Sequence, residues 1–144
     1  MNMSKKFFIT IIASILLLSS CSTKSVKADT TPNDILELYS VTQYKTLIAD
    51  YSDSNSINYD YSVKVYDDEN ESRNYLFVYF FEDNTTANEF YKENNSKTGL
   101  IWIFGLIFGE SLNVKYEKYN YMVLEYNNNT SEEMINMYKN FIYE

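Results

Sequence analysis

The side chains able to do chemistry are carboxylates, phenols and a single thiol. The chain of 144 residues holds 20 Asp and Glu, 15 Tyr, one Cys and no His. Carboxylates can work as acid–base pairs, but glycoside chemistry needs two of them at a set separation, which a sequence does not give. Asp67, Asp68, Glu69 and Glu71 offer the hard oxygens that Ca²⁺ takes. They lack the glycine and the regular ligand spacing of an EF-hand loop, so a solvated hairpin turn is expected. Without His there is no Ser-His-Asp triad and no Cys-His dyad. One Cys and no His leave no ordinary zinc site and no intramolecular disulfide. Three glycines do not make a phosphate loop. A pI near 4.5 has the wrong sign for a phosphate backbone, so no nucleic-acid partner is expected. Most tyrosines fall at strand or helix core positions, and an aromatic platform for sugar or peptide is the alternative. No catalytic residue, metal ligand or cofactor is assigned on these grounds.

The thiol has an informative context. Lys5 and Lys6 precede an apolar run from Phe7 to Leu18, broken only by Thr10 and Ser14. Such a run is short for a transmembrane span, which needs about 20 residues, and suits a signal segment. Leu18-Ser19-Ser20-Cys21 follows, and it resembles the bacterial lipobox. The resemblance implies a diacylglycerol thioether on Cys21 and cleavage between Ser20 and Cys21. The alternative is an uncleaved N-terminal anchor helix. Acyl chains would hold the protein to the membrane on its extracytoplasmic face, because two chains anchor stably where one is marginal. Cleavage removes Lys5 and Lys6 and moves the formal charge from −8 to −10. An anionic surface repels that charge over about 8 Å at physiological salt, so the domain is expected to stand off the bilayer on its linker. A catalytic role for Cys21 is not expected, since no His is present to activate it. Ser22, rather than Asp, follows the cysteine, and the richness in Asn, Tyr, Lys and Ile suggests a low-G+C Gram-positive source.

These features divide the chain into a signal segment (1–20), a lipidated Cys with a flexible tether (21–31) and one domain (32–144). A domain of this length can bury a sizeable core without disulfides, and 45% apolar with 17% aromatic residues argues against disorder. Thr31-Pro32 starts a helix, with Thr as N-cap and Pro at the first position. Ile35, Leu38, Tyr39, Leu47, Ile48 and Tyr51 suit one helix face to about residue 50. Tyr59, Tyr61, Val63 and Val65 alternate with polar residues and predict a half-buried strand. Tyr75 to Phe81 is apolar on both faces and predicts a central strand. Asn84-Thr85-Thr86 opens a helix that carries Ala87, Phe90 and Tyr91 inward and ends near Asn94-Asn95, with Thr86 and Glu89 as a capping box. Leu112 to Tyr126 predicts a strand pair turning near Lys118 to Asn120. Thr130-Ser131-Glu132-Glu133 predicts a capping box before a last helix with Met134, Ile135, Tyr138, Phe141 and Ile142 inward. The result is an α+β fold: a small antiparallel sheet from two hairpins with helices packed on one side, in the order α-ββ-α-ββ-α.

The stretch Val78 to Asn95, Asn113 to Tyr121 and the closing helix are similar in style to small uncharacterised cell-surface lipoproteins of low-G+C Gram-positive bacteria. That resemblance covers about 90 residues and implies no active site. The remaining feature is Leu100 to Phe108, an apolar run between Gly99 and Gly109. It is expected as a buried strand or a loop over the core. The functional alternative is an exposed segment that docks a partner, with Leu100, Ile101, Trp102, Ile103 and Phe104 as contacts and Trp102 as anchor. A non-catalytic interaction domain at the cell envelope, with an envelope protein as partner, is the expected function. The alternative is an enzyme or sugar-binding module that uses carboxylates and Tyr. Oligomeric state is open.

Overall fold

The computed structural model describes residues 25–53, 58–108 and 113–143, with 97–108 as backbone. Three helices and five strands follow in the order α1 (Pro32–Ser40), β1 (Lys45–Asp50), β2 (Tyr61–Tyr66), β3 (Tyr75–Phe80), α2 (Asn84–Phe108), β4 (Lys115–Tyr119), β5 (Met122–Tyr126) and α3 (Glu132–Ile142). The strands form one sheet in the order β1-β2-β3-β5-β4, antiparallel throughout. This is the α+β class expected. β1 adds a strand to the first hairpin, which becomes a three-stranded meander.

β1 corrects the long first helix. Helix α1 does begin at Thr31, whose side chain accepts from the Asp34 amide while Asp34 accepts from the Thr31 amide. It stops at Ser40, because side chains take over its terminal carbonyls: Ser40 Oγ donates to Glu37 and Thr42 Oγ1 donates to Tyr39. Leu47 and Ile48, expected on its inner face, lie instead on the edge strand and are 57% and 40% exposed. Their 3.6-residue spacing from Tyr39 was fortuitous, and the β-branched pair Thr46 and Ile48 favours the strand.

The helices divide between the two faces of the sheet rather than sharing one. Leu76, Val78 and Phe80 face α1 and α3, together with Val63, Val65, Met122 and Leu124. Ile35, Tyr39, Met134, Tyr138 and Ile142 complete that core. Phe77, Tyr79 and Phe81 point the other way and meet Ala87, Phe90 and Tyr91 of α2. An apolar residue at every position of β3 leaves two faces to cover, and one layer of helices covers only one.

Helix α2 does not end at Asn94-Asn95. Its backbone stays helical to Phe108, since the chain there holds no proline and its leucines and isoleucines tolerate a helix. The Leu100–Phe108 run is therefore neither strand nor loop. The side chains of Leu100, Ile101, Trp102, Ile103 and Phe104 lie outside the described residues, as do Ser20 and Cys21. At the start of α2, Asp83 Oδ1 accepts from the Thr86 amide, so Asp83 occupies the capping role assigned to Thr86. Ser131 caps α3 by accepting from the Met134 amide, and Thr130 donates to the Tyr75 carbonyl. The β4–β5 turn falls at Asn120-Tyr121, two residues that join the strands, with Asn120 at φ 51°; Asn is among the few residues that accept this left-handed conformation.

Residues 26–31, read as tether, lie on the domain. Val26 packs against the larger core, and the Lys27 amide donates to the Ile142 carbonyl at 2.9 Å. Lys27 Nζ sits 3.9 Å above the Phe141 ring. Thr30 is buried, and its carbonyl accepts from the Tyr121 hydroxyl at 2.7 Å. The domain therefore starts about six residues before Pro32.

Candidate functional site

Two partly buried carboxylates stand out, Glu117 on β4 and Glu125 on β5, and strand alternation sends them to opposite faces. Glu125 pairs in register with Tyr116 and Phe77. Its side chain therefore emerges on the α2 side, beside the Tyr79–Phe90–Tyr116 aromatic cluster. Tyr79 donates to Glu125 Oε2 at 2.8 Å, and the Tyr116 hydroxyl donates to the same carboxylate. Phe77 stacks on Tyr79 at 5.7 Å, and Phe90 of α2 lies 5.1 Å from Tyr79 and 6.4 Å from Tyr116. Burial pushes the Glu125 carboxyl above its ordinary range, and the two phenols offset only part of that. Burial and then the nearby Glu125 charge push both phenols up in turn.

Glu117 shows the opposite balance. Burial opposes its ionisation, but Lys139, Tyr119 and Tyr126 outweigh burial and hold it below the ordinary range. Lys139 Nζ lies 2.7 Å from Oε1, Tyr126 donates to the same oxygen at 2.5 Å, and Tyr119 donates to Oε2. The carboxylate ties β4 and β5 to α3. With three donors on it, little of its acceptor capacity remains for a ligand.

The chemistry available is correspondingly narrow. Glu125 is a carboxyl raised by burial and held by two phenols, a group able to exchange a proton or to accept from a sugar hydroxyl. Glu117 cannot serve as its partner across a scissile bond, because the sheet lies between them. The acidic turn is committed locally: Asp67 accepts from the Glu69 amide and from Asn74 Nδ2, and Glu71 pairs with Lys64 at 2.7 Å. Among the described residues no group of three or more Cys, Asp or Glu side chains gathers where it could hold a metal ion. The tyrosines are mostly built into the two cores, as their positions in strands and helices suggested.

Sequence reasoning had singled out neither glutamate. A signal was present for Glu125, the one charge in a strand whose other positions are buried or half-buried; Glu117 shares β4 with Lys115 and Lys118 and has no such mark. Their difference in ionisation comes from the deeper burial of Glu125 and from Lys139, which only the packing of α3 brings to Glu117.

Replacing Glu125 by Gln tests the balance. The folded protein holds this proton more tightly than the unfolded chain. Its contribution to stability is therefore complete below the ordinary Glu range and is lost as pH rises through the raised folded value. Gln cannot ionise. The melting temperature of Glu125→Gln should therefore gain on the wild type as pH rises from the ordinary Glu range through the raised folded value, as followed by circular dichroism. Glu117 is present in both proteins and cancels. A difference that stays flat or shrinks would mean that the carboxylate is not disfavoured by the fold.

Among the described residues no helix is long and apolar enough to cross a membrane. No protein-family model, curated protein or solved structure matches the chain.

Proposed function

We propose that the protein is an extracytoplasmic lipoprotein, attached to the cell membrane through a lipid on Cys21, whose domain is a non-catalytic interaction module of the envelope. The observation that carries this reading is Leu18-Ser19-Ser20-Cys21 after a basic and then apolar segment. The chain is fastened to the domain from Val26, five positions after Cys21. The partner contacts of this reading are Leu100, Ile101, Trp102, Ile103 and Phe104, where the backbone continues helix α2. The non-catalytic part rests on the two partly buried glutamates, which are separated by the sheet and occupied by tyrosine and lysine donors.

In-cell crosslinking with mass spectrometry tests the reading, with Cys21→Ala as the mislocalised control. One envelope protein crosslinked near Trp102, and lost in the control, is the expected result. Crosslinks distributed without preference, or retained in the control, would sink it.

A second reading, a sugar-binding or carboxylate-dependent module, draws on Glu125 alone, with its raised carboxyl beside Tyr79 and Tyr116. Binding to envelope glycans that Glu125→Gln abolishes would favour it over the first.

A further inference from the structure

The two ends of the sheet differ in what lies at them. Asp50, Tyr61, Phe80, Tyr119 and Met122 share one end in register, and Lys45, Tyr66, Tyr75, Lys115 and Tyr126 share the other. The strap of residues 26–30 is fastened at the first end. Tyr121, in the turn between β4 and β5, donates to Thr30, and Lys27 donates to Ile142 at the close of α3. Helix α3 starts at the other end, where Thr130 donates to Tyr75 and the Ser131 amide donates to Asn74 Oδ1. The turn of Asp67 to Arg73 lies at that other end too, between Tyr66 and Tyr75. The two ends are separated by the strand length, about 20 Å for six residues.

We infer that the strap end of the domain is seated against the bilayer, with the Asp67–Arg73 turn held outward, because the leash from the lipid is too short to permit the reverse. This rests on the lipidation of Cys21 proposed above. Cys21 and Val26 are five positions apart. A fully extended chain covers at most about 18 Å over that span, and a flexible one averages about 12 Å. A domain of this size has a radius of gyration of about 13 Å. The leash is therefore shorter than the domain is wide, and the point where it fastens stays close to the headgroups. Charge does not supply the orientation, since Asp29 within the strap and Asp34 just beyond it outnumber Lys27, and an anionic leaflet repels them. The earlier expectation of a domain standing off on a ten-residue linker gives way to a domain tied down at one pole. The membrane-facing surface then comprises the strap, the last turn of α3 and the β4–β5 turn.

The chain has no second cysteine, so single-site labelling is direct. Asn140, on the last turn of α3, and Ser72, in the far turn, are both exposed. Full-length protein carrying Asn140→Cys or Ser72→Cys would be matured in cells, labelled with a donor fluorophore and placed in phosphatidylcholine vesicles whose outer headgroups carry an acceptor. Energy transfer from position 140 should exceed that from position 72 by about twofold or more, given poles about 20 Å apart. Ten Gly-Ser residues inserted between Thr23 and Lys24 should erase the difference, and added salt should not. Equal or reversed transfer in the native-length protein overturns the orientation. A difference that survives the insertion overturns the leash as its cause. Failure of the lipid itself is read separately, by intact mass: if Cys21 carries no acyl mass, it is the lipidation reading that falls, whether or not the protein floats with the vesicles.

Discussion

Cys21→Ala is expected to leave the protein with no acyl mass and with its first 20 residues still attached. Each methylene of an acyl chain contributes about 0.8 kcal/mol to membrane partition. Losing two chains thus removes far more binding energy than any surface substitution could. Intact-mass spectrometry of protein taken from membranes checks this. The wild type should begin at Cys21 and carry lipid, and the variant should begin at Met1 without it. Partition into a detergent phase gives a second readout, strong for the wild type and lost in the variant once the apolar 7–18 segment is trimmed away. A wild-type protein that keeps Met1 and carries no lipid would instead support the uncleaved anchor helix.

Tyr138→Ala should cost about 3–5 kcal/mol, the range for deleting a large buried aromatic. Tyr138 is fully buried between α3 and the sheet, 5.6 Å from the Tyr119 ring, with its hydroxyl 4.0 Å from Met122 Sδ. Total stabilities of about 5–15 kcal/mol are usual, so the variant sits near the unfolding threshold. Tyr138→Phe keeps the ring and loses only a weak contact to sulfur, and should change stability by less than about 1 kcal/mol. Urea unfolding of the three proteins gives both numbers. A large loss in Tyr138→Phe would mean that the hydroxyl, not the ring, holds the helix in place.

Much of the fold was legible because it follows from alternation and capping. The period-two pattern of Tyr61, Val63 and Val65 and the doubly apolar β3 both appear where expected. Thr31-Pro32 and the Ser131 region start helices for the reason their side chains give, orphan amides that need an acceptor. What failed was length and side. Leu47 and Ile48 fit a helical face by spacing, and only the pairing of β1 with β2 shows that they belong to a strand. The placement of α2 on the opposite face was implicit in Phe77, Tyr79 and Phe81, but a preference for one helical layer obscured it. The strap was illegible because residues 26–30 carry no periodicity; their fastening depends on Ile142 and Tyr121, remote in sequence. For the same reason Glu117 and Glu125 could not be told apart before α3 was in place. The proposed lipid site is the reverse case: it rests on local residue types at Cys21 alone, outside the described residues.

The contacts that fasten the domain join its beginning to its end. Lys27 bonds Ile142, Tyr39 donates to the Met134 carbonyl at 2.6 Å, Tyr44 shares a hydrogen bond with Ser131 at 3.0 Å, and α1 packs directly on α3. Helix α1 has no other partner for its buried face than a core to which the last dozen residues contribute three fully buried side chains. A chain emerging from its N-terminus cannot close this core until α3 has arrived, and closing a loop of that span carries its entropy before any contact rewards it. Closure of this core is thus postponed until α3 has been synthesised. On the export route proposed above, that delay keeps the chain threadable until α3 has followed it across the membrane.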